Sequence, residues 1–121
     1  MNDLPDGISD AGDLADRMIS HVDQALAAID LPEMQMLLRS AMLAGEELEV
    51  LLADLAFDSE DHAATDRMEK ALWNLRRFFR LGIEALSGDQ QLLDGRIRAM
   101  QPLAVDAREH VRAVQESVGA A

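Results

Sequence analysis

The sequence predicts an all-α fold, an up-down antiparallel four-helix bundle whose last helix is kinked or broken near Pro102. Three observations lead to this prediction. Apolar residues recur every three or four positions along most of the chain, as on the buried side of a helix. Clusters of acids, glycine and proline divide this pattern into four segments joined by short connections, which favour antiparallel neighbours. No segment has the alternating pattern of a strand.

Residues 1–9 are predicted to be a flexible acidic N-terminal lead, because they contain a proline and a glycine and precede the first periodic segment. Leu4 and Ile8 are its candidate anchors. The remainder, residues 10–121, is predicted to form a single helical-bundle domain, since neither a linker nor an internal repeat divides it.

The first helix is predicted over about residues 11–29. Asp10 is its candidate N-cap, since a carboxylate can accept a hydrogen bond from the free N–H groups of a first turn. One side of this helix carries the expected core positions, which are Leu14, Met18, Val22, Ala25 and Ile29.

The second helix is predicted to begin after Asp30 and to run to about Phe57. Asp30 and Glu33 have the spacing of a capping box. Ala41 and Gly45 are small enough to admit a neighbouring helix closely. The expected core stripe is Leu38, Ala41, Gly45, Leu48, Leu52 and Leu55.

A second apolar stripe on this helix consists of Leu43, Val50 and Phe57, which are seven residues apart and lie nearly opposite the core stripe. A helix with two apolar sides is either central in its fold or shares one side with another chain. We assign these three residues to self-association.

The third helix is predicted to begin at Ser59 or Thr65 and to end at Ser87, with Gly88 as a left-handed stop. Its expected core stripe is Met68, Leu72, Leu75, Phe79, Gly82 and Leu86. Trp73, the only tryptophan, falls on the opposite side of the helix among basic residues, which are Lys70, Arg76, Arg77 and Arg80.

The fourth helix follows Asp89, its candidate cap. A proline in a helix interior costs about 3 kcal/mol or more, which is why we expect a kink at Pro102 or, as the second choice, two short helices. The kink is preferred because the apolar phase survives across the proline. The core positions are Leu93, Ile97, Met100, Ala104, Ala107, Val111, Val114 and Val118.

Charge is distributed unevenly along the chain, whose formal net charge is −12. Residues 1–66 hold sixteen acids and two bases, whereas residues 67–121 hold seven acids and nine bases. An acidic chain is poorly suited to bind nucleic acid directly, because binding requires cations that neutralise phosphates. The acidity is explained either by a solvated surface or by a surface shaped for a basic partner. Candidate acids of such a surface are Asp13, Asp16, Asp23, Glu46, Glu47, Glu49 and Asp54.

The sequence contains no recognisable catalytic or metal-binding pattern. The chain lacks cysteine, and its three histidines are isolated from the Glu-x-x-His and His-Glu-x-x-His spacings of metal sites. Neither a nucleophile elbow nor a glycine-rich phosphate loop occurs. We therefore expect no enzyme activity, no metal and no cofactor. The start of the chain lacks the pattern of a secretory signal and no apolar run is long enough to span a membrane, so a cytoplasmic location is expected.

Trp73 with Lys70, Arg76, Arg77 and Arg80 is the strongest local feature. Three explanations fit it: another part of the chain covers the ring, a second copy covers it, or a foreign protein does. Tryptophan and arginine are enriched at binding hot spots.

The leading hypothesis is a non-catalytic helical protein-binding module of adaptor, chaperone, immunity or inhibitor type. We expect it to bind another protein, for which one with a basic surface is an option, and to form a homodimer. We expect it to bind neither nucleic acid nor a membrane. The alternative is a nucleic-acid-mimicking inhibitor of anti-restriction or anti-CRISPR type, whose carboxylates imitate phosphates and block a basic channel. The third hypothesis is an enzyme or a phosphorelay component. The sequence offers little support for it, because no set of residues supplies a nucleophile, a base and an orienting group together.

Overall fold

The computed structural model of the chain describes the backbone of residues 4–119 and the side chains of residues 5–118. It consists of four α-helices and one short 3-10 turn, and no strand occurs within this range, which confirms the all-α prediction. The elements are α1 (Leu4–Ala27), α2 (Leu31–Asp58), α3 (His62–Ser87), the 3-10 turn (Gln90–Leu92) and α4 (Leu93–Gly119).

The four helices enclose one apolar core. α1 packs against α2 and α4, and α3 packs against the same two helices, with the α2–α3 seam the least extensive of the four. The predicted stripes of α2 and α4 are buried except for their last members, Leu55 and Val118, which are half-buried. Buried side chains of all four helices belong to a single cluster, so the apolar surface that each helix removes from water stabilises the same core.

The predicted flexible lead is wrong for residues 4–9, because α1 begins at Leu4. A proline in the first turn, here Pro5, removes no helical hydrogen bond. Ile8 is only 2% exposed and belongs to the core. Asp10 lies inside α1 and is not its cap. Residues 1–3 lie outside the described part of the chain.

The end of α1 also differs from the prediction. α1 ends at Ala27, and Ile29 lies in the connection to α2, where it is 100% exposed instead of buried in the core. Asp30 caps the second helix: the Glu33 N–H donates to Asp30 Oδ1 at 2.8 Å. The predicted N-cap of α2 is therefore confirmed.

The buried side of α3 is rotated relative to the predicted stripe. Phe78 is fully buried, whereas Phe79, the predicted core residue, is half-buried. The two rings meet edge to face with centroids 6.0 Å apart. Phe79 packs on α2, where a methyl group on Gly45 would lie 2.9 Å from Phe79 Cε1. Gly45 thus admits the neighbouring helix as predicted.

The connection from α3 to α4 depends on an arginine and not on a left-handed glycine. Gly88 has extended backbone angles, φ −97° and ψ −161°, so the predicted left-handed stop is wrong. Arg96 Nη1 donates to the Glu84 carbonyl oxygen at 2.8 Å and occupies the space that a side chain on Gly88 would need. Asp89 caps the 3-10 turn that leads into α4, since Gln91 N donates to its carboxylate at 2.9 Å.

α4 continues through Pro102 as a single helix, so the alternative of two short helices is wrong. Pro102 is exposed, which leaves its ring outside the core. The kink remains a prediction.

Candidate protein-interaction surface

Trp73 lies on the outer side of α3 and is 62% exposed. This exposure contradicts the explanation in which another part of the chain covers the ring. Residues 7 and 8 of the predicted lead lie elsewhere, because Gly7 packs against Leu55 and the Ile8 carbonyl accepts a hydrogen bond from Gln115. Of the three explanations, a second copy and a foreign protein remain.

Phe57 is the second large exposed ring, and it lies beside Trp73. It ends the outer stripe of α2 and is 90% exposed. Phe57 and Trp73 line the same shallow groove between α2 and α3, which has a volume of about 500 Å³. The other lining residues are Ala53, Ala56, Glu69, Leu72 and Arg76. The sequence assigned the two rings to separate surfaces, whereas the fold brings them together.

The outer stripe of α2 is exposed along its whole length, as the sequence indicated. Leu43 and Val50 are both more than half exposed and lie on the side of Phe57. Together with Trp73 they make a row of large apolar side chains on two adjacent helices. We call the outer sides of these two helices the α2–α3 face, defined by Leu43, Val50, Phe57, Trp73 and the charged residues around them.

Among the residues whose side chains the structure describes, the arginines of this face have no partner. Arg76, Arg77 and Arg80 are exposed, and none of them forms an ion pair or a side-chain hydrogen bond with residues 5–118. Lys70 differs, because its Nζ lies 3.0 Å from Asp66 Oδ2 one turn away. The three arginines are therefore available to a carboxylate on another molecule.

A second groove on the far side of Trp73 separates α3 from α4. Lys70, Trp73 and Asn74 line it together with His110 of α4. Arg67 Nη1 lies 3.4 Å from His110 Nδ1. Burial, followed by the charges of Arg67 and Lys70, lowers the pKa of His110, so the ring is neutral near pH 7. Trp73 is consequently reachable from both sides of α3.

Acidic side chains flank the apolar stripe of α2. Glu46, Glu47 and Asp54 line a groove of about 440 Å³ with Val50 and Leu51. These three acids form no ion pair within residues 5–118, and neither do Asp13 and Glu49.

The predicted acidic surface is not uniform, because two of its members are engaged inside the molecule. Asp16 of α1 lies 3.9 Å from Arg108 and 3.7 Å from Arg112, both on α4. Asp23 accepts a hydrogen bond of 2.6 Å from Gln101. These carboxylates join α1 to α4, whereas the predicted acids Glu46, Glu47 and Asp54 lie beside the exposed Val50.

Sequence reasoning missed that Phe57 and Trp73 share a groove. The signal was present in the three-residue connection between α2 and α3, residues 59–61, which fixes how the two helices pass each other. Without that register, two outer stripes on consecutive helices cannot be placed at the same height.

Comparisons of the chain with protein-family models, curated proteins and solved structures found no match. Among the described residues, no helix has the length and apolar character needed to cross a membrane.

Proposed function

We propose that the chain is a non-catalytic helical protein-binding module that acts through the α2–α3 face. The observation that carries the proposal is the shared groove of two exposed aromatic rings, Phe57 and Trp73. Contiguous exposed apolar surface with a polar rim is typical of a protein-binding site. Tryptophan and arginine together are the residues most often found at binding hot spots.

The same proposal includes the helix directions, an up-down antiparallel bundle with α4 kinked at Pro102. Two contacts support opposite directions for α2 and α3. Gly45 of α2 lies against Phe79 of α3. Met42, three residues before Gly45 on α2, lies against Gly82, three residues after Phe79 on α3. The three-residue connections before and after α2 agree with this arrangement. A kink is expected because Pro102 cannot donate to the carbonyl of Arg98.

The nucleic-acid mimic remains the second candidate function, and the unpaired acids of α2 favour it. Glu46, Glu47 and Asp54 are exposed without internal partners. One observation speaks against it: Val50 and Leu51 lie between these carboxylates. The phosphates of a nucleic acid have no such apolar groups between them, so Val50 and Leu51 are not part of a phosphate mimic. A mimic would lose its basic partner steeply as salt rises. Binding that persists at high salt would favour the apolar interface.

The test of the proposed function is photo-crosslinking in cells from a photoreactive phenylalanine at position 57. We expect adducts of defined mass from this position, because Phe57 lies in the proposed contact surface. The matched control is the same residue at position 29, which is equally accessible but lies outside the α2–α3 face. Equal adducts at both positions, or none at either, would contradict the proposal.

Substitution of Trp73 tests the same surface thermodynamically. Trp73→Ala is expected to weaken association with the crosslinked partner by about 2 kcal/mol or more, as at other tryptophan hot spots. Helicity and the melting temperature of the dissociated chain should hardly change, since exposed substitutions shift stability by about 0.5 kcal/mol or less. Circular dichroism melts and binding isotherms of Trp73→Ala and Ile29→Ala check both statements. A large loss of stability would place Trp73 in the core and reject its binding role.

A further inference from the structure

We propose that the partner of the α2–α3 face is a second copy of this chain, docked with α2 of one copy on α3 of the other. The inference rests on the proposed function, because it names the partner of that same surface. Its support comes from the signs and heights of the charges along the two helices.

The first step is the register between α2 and α3. A methyl group on Gly45 would lie 2.9 Å from Phe79, and one on Gly82 would lie 2.7 Å from Met42 Sδ. Both contacts give the same register, in which each step forward on α2 matches a step back on α3. In this register residues 53–57 of α2 lie level with residues 67–71 of α3, and Trp73 lies level with Leu51.

The second step is the sequence of charges at matching heights. The register places Glu47 level with Arg77, Asp54 level with Lys70, and Arg39 within one residue of Glu84. At each of the three heights one helix carries an acid where the other carries a base. None of these three pairs forms an ion pair within the molecule, because the side chains lie on the outer sides of the two helices.

The third step is symmetry. A two-fold axis that lies parallel to the helices, between two copies that face each other, keeps every residue at its own height. It also exchanges the two sides of the face, so that α2 of one copy lies over α3 of the other. The opposite charges then meet across the interface, and Val50 of each copy comes level with Trp73 of the other within one residue.

A second copy fits this face better than a uniformly basic protein. A basic partner complements Glu47 and Asp54, but it is repelled by Arg77 and by Arg39. At these three heights the chain itself carries both signs in the order that complements the face, while the same register places Asp58 level with Asp66. The net charge of −12 does not prevent the contact, because salt screens charges beyond about 8 Å at physiological ionic strength.

The proposal is tested by two charge-reversed variants studied by analytical ultracentrifugation. The first is Arg77→Glu with Arg80→Glu, and the second is Glu46→Arg with Glu47→Arg. Each variant alone brings like charges together in the docked pair, and we expect its dissociation constant to rise about 100-fold. An equal mixture of the two variants restores complementary charges at both contacts. We therefore expect the mixture to form a heterodimer about as tightly as the unmodified chain forms a homodimer.

The control is Arg17→Glu, which reverses an exposed arginine of α1 outside the face and should leave the dimer unchanged. A monomeric unmodified chain, a dimer that survives in both variants, or a mixture that stays monomeric would overturn the proposal. Failure of the proposed function is recognised separately. If the chain is monomeric but position 57 crosslinks to a different protein, the second-copy inference fails and the binding module stands.

Discussion

Phe78 is the largest of the fully buried side chains in the described part of the chain. It lies one turn beyond Asn74, on the side of α3 that faces α4, whereas Phe79 lies on the side of Gly45 in α2. Because α3 packs more extensively on α4 than on α2, the position that faces α4 is the more deeply buried. Two adjacent rings of equal size therefore differ in burial.

Truncation of Phe78 tests this residue-scale account. Phe78→Ala is expected to lower the free energy of unfolding by about 3–5 kcal/mol, through lost apolar contact and the cavity that remains. The matched control, Phe57→Ala, removes the same ring from a position that is 90% exposed and should change stability by about 0.5 kcal/mol or less. Urea denaturation of both variants, at dilutions at which the unmodified chain is monomeric, provides the measurement. Similar losses in the two variants would contradict the assigned burial.

Residue periodicity predicts the exposure of Trp73 but not the burial of Phe78. Trp73 lies opposite the core stripe, so a moderate rotation of the helix leaves it outside. Phe78 lies at the edge of the stripe, where the same rotation decides between core and surface. That rotation depends on how extensively α3 packs against α4 and against α2. The periodicity of α3 alone does not determine this packing.

At the scale of elements, local capping chemistry sets most of the helix boundaries. Asp30 and Asp61 accept hydrogen bonds from first-turn N–H groups of α2 and α3. Because Asp61 is the cap, α3 begins at His62, between the two predicted starts, Ser59 and Thr65. The start of α1 was missed because its packing, with Ile8 in the core, outweighs the turn tendency of the first residues. The predicted end of α3 at Ser87 is confirmed, but its left-handed stop is wrong, because Gly88 is extended and the Glu84 carbonyl accepts from both the Gly88 N–H and Arg96 of the next helix.

Replacement of Pro102 tests the prediction for α4. Pro102→Ala restores an N–H group that can donate to the carbonyl of Arg98 and removes no buried contact, since Pro102 is exposed. We expect the free energy of unfolding to rise by about 1–3 kcal/mol. Thermal and urea denaturation measure the change. A loss of stability would mean that the bundle depends on a bend in α4 that the proline sets.

At the scale of the whole molecule, the core can be predicted from the sequence, whereas the proposed interaction surface can be predicted only in part. Four amphipathic segments of similar length can bury their apolar stripes together in only a few ways. The predicted stripes of α2 and α4 are indeed buried, apart from their last members. Prediction of the surface requires one further quantity, the register between α2 and α3. The fold brings Phe57 and Trp73 to one groove, and the register gives the charges on the two helices matching heights.

The central claim is that the α2–α3 face is covered by a second molecule in the working protein. Trp73 is the only tryptophan and the chain has no tyrosine, so intrinsic fluorescence reports this face alone. The decisive measurement follows Trp73 emission and its quenching by acrylamide across a dilution series, with the mass determined at each concentration. The account predicts that emission moves to shorter wavelength and quenching falls over the concentration range in which the mass doubles from 13.3 kDa. Emission that stays typical of a water-exposed tryptophan while the mass doubles would contradict it.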